Sequence, residues 1–408
     1  NSNMQIFYKK NVLLCVTGGI AAYKSAEITR LFKKEGADVR IIMTESSKEF
    51  ITPLTLQAVS GNQIHDSLLD EKAEAGMGHI ELAKWADILL VAPCTAETLS
   101  KINQGRADDL LGTVILATKA NIFIAPAMNM NMWLDPTTQS NYEQLQSKKV
   151  FFIGPDIGDQ ACGDVGPGRL VEPEKILNEI SNSINTGELS GKTVNITAGP
   201  TREKLDPVRY ISNNSSGKMG YALAQAAIEA GANVNLISGP VTLEVNKNIN
   251  LIKINTAKEM LDQVLKVMKD DDLFIGCAAV SDYRPKNYSV EKLKKNSKEI
   301  FNLKLEKNDD ILSNVSKNYP NSFVVGFAAE TENIEENSRK KLTEKNLNMI
   351  ISNDVSNKSI GFDSDDNEVT IYTENEKILI EKDTKFKVAQ KIINEIVNKI
   401  NIKDVISN

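Results

Sequence analysis

The sequence predicts an α/β protein made of two Rossmann-like parallel-sheet domains in tandem. Three observations carry this. Short apolar runs at 12–16, 88–92, 122–124 and 273–280 have strand length and little alternation, as strands covered on both faces do, and 193–197 has strand length with polar residues interleaved. Twice, such a run opens through a glycine turn into a helical pattern and then another strand-like run. The 408 residues exceed one comfortable core, and a hydrophobic content of 41% supplies two.

The first half begins with a strand at 12–16 and a tight turn, Thr17-Gly18-Gly19-Ile20. A helix is expected over 21–34, with Ile28, Leu31 and Phe32 on one face and Gly36 at its end, then a strand at 39–43. A glycine turn meeting a helix N-terminus suits a phosphate. The G-x-G-x-x-G spacing is missing, and no acidic residue ends the second strand, so a dinucleotide is disfavoured. A mononucleotide such as FMN fits Gly18, Gly19 and Ile20 better, with hydroxyls from Thr44 and Ser47; a plain turn without ligand is the alternative. His79, in Gly76-Met77-Gly78-His79-Ile80-Glu81-Leu82, falls just inside a helix start, which favours the neutral imidazole. After the strand at 88–92, Pro93-Cys94-Thr95 leads into another helix, with Thr95 as its N-cap.

The strand at 122–124 runs into Ala125-Pro126-Ala127-Met128-Asn129-Met130-Asn131-Met132-Trp133. A loop at the carboxyl end of a parallel strand is where open α/β sheets bind ligands. Asn129 offers a donor amide suited to a carboxylate. The Met and Trp side chains form either a water-excluding wall or filler in the core. Residues 158–169, glycine-rich around Cys162, read as a mobile covering loop.

A small, polar stretch near 183–191 reads as the linker, giving domains at 4–185 and 191–408. The second half repeats the plan: a strand at 193–197, a long insert, a helix bearing Leu223, Ala226 and Ala227 that ends at Gly231, and a strand at 234–237. Ser215-Ser216-Gly217-Lys218 at the helix start suits a phosphate, although the Walker A spacing is absent. The strand at 273–280 leads to Ser281-Asp282-Tyr283-Arg284-Pro285. Glu291-Lys292-Leu293-Lys294-Lys295 would ordinarily be a solvated basic face. Lys341 and Lys345, four apart, are expected to share a helix face and reach one ligand.

A net charge of −6 and a pI near 5.4 argue against nucleic acid as a partner. No apolar run has membrane length, and no segment reads as a signal peptide. Cys15, Cys94, Cys162 and Cys277 lie far apart, as expected of thiols in a reducing cytoplasm. With two His and no His/Cys cluster, zinc is not expected. Asn1-Ser2-Asn3 before Met4 resembles an expression scar.

The Pro126–Met132 motif, the glycine-rich stretch around Cys162 and Gly78-His79-Ile80 together resemble the flavin-dependent cysteine decarboxylases. The resemblance implies a flavodoxin-like first domain that binds FMN. Asn129 and Met132 would hold the substrate carboxylate, Cys162 would sit on a flap over the site, and His79 would be catalytic. Pro93 and Thr95 would pack on the flavin, and Ala107-Asp108-Asp109-Leu110-Leu111 also fits the pattern. In that family the substrate thiol is oxidised to a thioaldehyde by hydride transfer to flavin, CO₂ leaves, and the hydride returns.

Each block of the second half resembles, in order, the bacterial phosphopantothenate–cysteine ligases. Nearly the whole chain is thus similar to the fused bacterial enzymes of coenzyme A synthesis. Such an enzyme joins 4′-phosphopantothenate to cysteine through an acyl-CMP made from CTP, then decarboxylates the product. The resemblance implies that Asn213 handles the acyl-CMP and that Gly276, Cys277, Ala278 and Phe327 line the base pocket. Asp282 would read the nucleotide or its Mg²⁺. Asp309, Asp310, Ile311 and Leu312 would complete the nucleotide site, and Lys292, Lys341 and Lys345 would neutralise the triphosphate. Ser215, Ser216, Gly217 and Lys218 would bind substrate phosphate. Asp309 stands where the family usually has Pro. Trimeric decarboxylase contacts and dimeric ligase contacts imply a homo-oligomer. A flavin-binding regulator or a flavin prenyltransferase would share the first fold, but His79, Asn129, Cys162 and the ligase-like half argue against both.

Overall fold

The computed structural model describes residues 6–68, 77–148, 150–294, 301–356 and 363–406, with side chains as far as 401. Gly76, Lys295 and the leading Asn1-Ser2-Asn3 lie outside these. The chain divides into two compact units, Gln5–Ile184 and Asn185–Asn408.

In the N-terminal unit, strands β1 (Asn11–Val16), β2 (Asp38–Met43), β3 (Ile88–Cys94), β4 (Asn121–Pro126) and β5 (Phe151–Phe152) form one sheet in the order β2-β1-β3-β4-β5. Every pair is parallel. This is the flavodoxin order, whose ligand-binding switch point lies between β1 and β3. The helices are α1 (Lys24–Lys34), α2 (Pro53–Ser60), α3 (His79–Trp85), α4 (Ala96–Gln104), α5 (Leu110–Ala117), α6 (Met130–Leu134), α7 (Pro136–Ser147) and α8 (Pro173–Ile184). Leu13 and Leu14, adjacent in β1, enter different core clusters. Both sheet faces are therefore covered, which explains the continuous apolar runs.

Three local expectations change. The helix expected from residue 21 starts at Lys24, after a 3-10 turn at Ile20–Tyr23. The stretch after Pro126 folds into α6, and Trp133, 8% exposed, packs edge-on against Tyr142 of α7 at 5.1 Å between ring centroids. Trp133 therefore belongs to the core, not to a ligand wall. Residues 158–169 fall mostly within an antiparallel hairpin of β6 (Asp156–Asp159) and β7 (Val165–Arg169). Gly166 and Gly168 serve close approach. A β-carbon on Gly166 would lie 2.0 Å from Met130 Sδ, and one on Gly168 would lie 2.2 Å from the Met128 carbonyl. The Met128 N–H donates to the Gly168 carbonyl at 2.9 Å, fastening the hairpin to the segment that carries Asn129.

The C-terminal unit contains β8 (Thr193–Ala198), β9 (Arg202–Lys204), β10 (Tyr210–Ser212), β11 (Asn233–Ser238), β12 (Asn250–Lys253), β13 (Leu273–Gly276), β14 (Tyr283–Pro285), β15 (Leu305–Lys307), β16 (Phe323–Glu330), β17 (Met349–Asp354), β18 (Asp366–Tyr372) and β19 (Lys377–Thr384). Its eight-stranded sheet runs β12-β11-β8-β13-β16-β17-β18-β19, parallel through β17 and antiparallel from there. The wholly parallel sheet expected thus gains an antiparallel edge, where Val369 and Ile371 alternate inward along β18. Helices α9 (Lys218–Glu229) and α13 (Lys385–Ile406) cover one face through Leu223, Ala227, Val388 and Ile392. Helices α10 (Ala257–Val267), α11 (Ile311–Asn318) and α12 (Ile334–Glu344) cover the other through Met260, Val315 and Leu342. The long insert before α9 holds the hairpin β9–β10, and β13 stops at Gly276, four residues short of the expected end.

Candidate functional site

The carboxyl ends of β1–β4 open into a cavity of about 1280 Å³. That exceeds the usual range of roughly 300–1,000 Å³ for one ligand, so the volume leaves room for more than one small molecule. One end is the glycine turn. Gly18, Gly19, Ile20, Thr44 and Thr95 line it as the sequence suggests. A β-carbon at Gly18 would stand 2.4 Å from Ser46 Oγ, so only glycine lets the two chains meet there. Ser46 lines the cavity, whereas Ser47 is buried with its hydroxyl donating to the Thr44 carbonyl at 2.6 Å. Thr44 caps the 3-10 turn Glu45–Glu49, which turns Ser47 inward and leaves Ser46 outward. Pro93, expected to pack on the flavin, is buried and does not line the cavity; its carbonyl accepts from Thr17 Oγ1 at 2.6 Å, and the Thr17 hydroxyl oxygen in turn accepts from the Thr95 N–H at 3.1 Å. Thr95 Oγ1 accepts from the Thr98 N–H as the N-cap of α4.

The other end carries Met128, Asn129, Met132, Gln160 and Cys162. Asn129 Oδ1 accepts from the Asn131 N–H at 2.8 Å and caps α6. Its amide nitrogen faces the hairpin tip, 3.4 Å from Cys162 Sγ and 3.3 Å from Asp164 Oδ2. Gln160 holds the tip in place: its side-chain oxygen accepts from the Met130 N–H at 2.9 Å, and its amide donates to the Met128 and Pro167 carbonyls. Cys162 is the exposed thiol; Cys15 and Cys94 are buried, and burial pushes both thiols well above the usual range. Gln160, Asp164 and Ser46 carry no signal of their own in the sequence, though Gln160 and Asp164 lie two positions either side of Cys162. His79, the first residue of α3, does not line this cavity.

In the C-terminal unit the switch point lies between β8 and β13, and residues 277–282 cross it. Ala278 N–H donates to Thr197 Oγ1, Ala279 N–H to the Gly199 carbonyl, and Ser281 N–H to Thr201 Oγ1. Asn213 donates its amide to the Val280 carbonyl at 3.1 Å, so it sits beside this segment. Asp282 is exposed, and its carbonyl accepts from the Asn308 N–H at 2.8 Å, joining the segment to the loop bearing Asp309 and Asp310. Asp310 caps α11. Leu312 lies against Gly276, where a β-carbon would come within 2.8 Å of it, while Ile311 points into the core.

Two descriptions match the halves: the "Flavoprotein" family model over residues 2–185, and the "DNA/pantothenate metabolism flavoprotein C-terminal domain" over 189–400. A Vibrio vulnificus strain CMCP6 protein called "Coenzyme A biosynthesis bifunctional protein CoaBC" is 50% identical over 92% of this chain and 94% of its own length. The chain belongs to the CoaBC family. Proteins of the same description from Haemophilus influenzae and Escherichia coli K12 are 48% and 46% identical, over 96% and 97% of this chain and 98% of each relative.

Not every expected CoaBC site residue gathers at one place. Ala278 and Leu312 pack on the face covered by α10–α12, whereas Cys277 and Phe327 pack on the α9/α13 face. Burial pushes the Cys277 thiol up to about 12. Lys341 pairs with Glu330 at 2.6 Å and Lys345 with Asp310 at 2.8 Å, so the two lysines, four apart, face different acids. Lys345 is the C-cap of α12, past its last full turn. Lys218 pairs with Asp365 at 2.9 Å, and the Ser215 and Ser216 hydroxyls accept from the Gly217 and Lys218 N–H groups. A phosphate at the α9 start would have to exchange for these contacts. Among the described residues, no cluster of three or more His, Cys, Asp or Glu could hold a metal ion, and no helix is long and apolar enough to cross a membrane.

Lys292 is exposed, but the next residue is fixed. Leu293 N–H donates to Asp206 Oδ2 at 3.1 Å, and its carbonyl accepts from Arg209 at 2.6 Å. Burial alone would raise the Asp206 carboxyl, but the N–H groups of Val208, Leu293 and Arg209 and the Arg209 guanidinium outweigh it and hold it at about 2. The ordinary value is about 3.9. The tether therefore contributes stability that is complete above about pH 4 and disappears as pH falls through about 2. Protection of the Leu293 amide from hydrogen exchange should persist at pH 3 and be lost near pH 2. Loss already at pH 4 would show that the carboxylate does not hold this loop.

Proposed function

We propose that the N-terminal unit binds FMN and converts 4′-phosphopantothenoylcysteine to 4′-phosphopantetheine, and that the C-terminal unit makes that substrate from 4′-phosphopantothenate and cysteine with CTP and Mg²⁺. The observation that carries the reading is one cavity with a glycine turn at one end and the Asn129 amide 3.4 Å from the Cys162 thiol at the other. The Gly18–Ser46 fit leaves the turn open to a phosphate, with Thr44 and Thr95 beside it. Bound there, the flavin supplies a reversible hydride acceptor. Asn129 donates to the substrate carboxylate, Met132 covers it, and Cys162 delivers a proton to the carbon that remains after CO₂ leaves. His79 lies outside its own chain's cavity; in this reading a trimer places it at a neighbour's site, where it serves oxidation and decarboxylation.

In the C-terminal unit, Asn213 and residues 276–282 handle the acyl-CMP at the switch point, and ligase contacts are dimeric. Magnesium keeps most of its shell from phosphate and water, so the lone carboxylate of Asp282 suits an ion carried in on the triphosphate. Lys292 meets the phosphates. Lys341 and Lys345 reach them by exchanging Glu330 and Asp310 for the nucleotide. The enzyme works in the cytoplasm.

The test is to purify the full chain, record its absorption spectrum and follow CO₂, pyrophosphate and phosphopantetheine together. A flavin spectrum with both reactions supports the reading; a colourless or inactive protein overturns it. Cys162→Ser should still release CO₂ yet lose phosphopantetheine yield, with reduced flavin and oxidised product accumulating. Normal yield would remove Cys162 as the proton donor.

A further inference from the structure

We infer that the Asp164 carboxylate is an internal stand-in for the substrate carboxylate on Asn129, and that its return after decarboxylation places Cys162 for proton delivery. This rests on the roles proposed above for Asn129 and Cys162. The geometry is a triangle at the hairpin tip. Asn129 Nδ2 donates to Asp164 Oδ2 at 3.3 Å, Cys162 Sγ donates to the same oxygen at 3.3 Å, and Asn129 Nδ2 lies 3.4 Å from the sulfur. The amide that suits a substrate carboxylate thus already faces a carboxylate of the protein. The Asp164 backbone is fixed, its carbonyl accepting from the Gln160 N–H at 2.9 Å, while its side chain is exposed and held only by these two long contacts.

Two carboxylates at one amide repel, so an entering substrate must displace Asp164. Displacement also breaks the contact that orients the thiol. Once CO₂ leaves, the ligand no longer carries the carboxylate that Asn129 was holding. The amide is free, Asp164 returns to it, and the thiol hydrogen-bonded to Asp164 returns with it. The proton step then balances simply. The S–H bond breaks, the carbon electron pair left by CO₂ forms a C–H bond, and the sulfur regains a proton from water at the exposed tip. Proton delivery before CO₂ loss is thereby disfavoured, and the substrate is handled differently from its product by one intramolecular contact. Asp164 is a positioning residue in this scheme.

Asp164→Asn tests it, because the side chain is exposed and the turn is closed by backbone bonds. Without the competing charge, KM for phosphopantothenoylcysteine should fall by roughly three- to tenfold, somewhat less than a hydrogen bond to a charged group usually contributes, since this one is long and exposed. The inhibition constant of phosphopantetheine should not fall. Released CO₂ should exceed phosphopantetheine formed, with oxidised product making up the difference. A variant that merely loosened the hairpin would raise KM. Unchanged KM with one phosphopantetheine per CO₂ overturns the inference, and so does a raised KM. The underlying assignment is scored separately by Cys162→Ser: normal yield there, with a lowered KM in Asp164→Asn, would remove the proton-delivery role and leave only the competition for Asn129.

Discussion

Asn129→Asp should lose roughly 10²–10³ in kcat/KM for decarboxylation, more than Asn129→Ala, even though the Asp variant keeps the fold better. The amide nitrogen is the donor that meets a carboxylate, and a hydrogen bond to a charged group contributes roughly 1.5–3 kcal/mol. Removing it in Asn129→Ala therefore costs on the order of ten- to a hundredfold. A carboxylate in its place adds repulsion with the substrate, and with Asp164 Oδ2, which already lies 3.3 Å from the amide. Stability should rank the other way. Asn129 Oδ1 caps α6 by accepting from the Asn131 N–H. Asp retains that oxygen, whereas Ala loses a cap that contributes about 1 kcal/mol. Measuring thermal midpoints beside kinetics separates the two effects. Equal activity in the Asp and Ala variants would mean that the substrate carboxylate is held elsewhere.

Lys292→Gln should slow pyrophosphate release by roughly 10²–10³, in line with removal of one preorganised charge from a developing anion. The structure sharpens the prediction, because the neighbouring peptide is pinned by Asp206 and Arg209 and the substitution leaves that clamp untouched. Cysteine incorporation from preformed acyl-CMP should be nearly normal. If pyrophosphate release stays at the wild-type rate, the basic run is an ordinary solvated face.

Regular elements with strong patterns were legible in the sequence. The β1–turn–α1–β2 unit, the buried β3 and its counterparts in the second half follow from apolar runs and glycine punctuation. Side-chain direction in irregular turns was not legible. Ser47 is the hydroxyl expected beside the ligand, yet the 3-10 turn buries it and leaves Ser46 at the cavity. Lys341 and Lys345 look convergent because helical spacing is local information, while Glu330 and Asp310 lie 11 and 35 positions away. Asn129 and Cys162 could be named from their motifs, but the tie made by Gln160 depends on tertiary structure. Glycine density around Cys162 suggested mobility, since a sequence does not reveal whether a missing side chain yields freedom or contact.

The fit of Gly166 and Gly168 against Met130 and Met128 has an evolutionary consequence. Two motifs about thirty positions apart in the chain form a single mutational unit. A side chain added at either glycine would lift the hairpin and carry Cys162 away from Asn129, and a bulkier residue at 130 would do the same from the other side. The two contact positions have no room to drift by small steps, so variation in this region should fall on outward-facing positions such as Ile157 and Val165, which are 77% and 66% exposed.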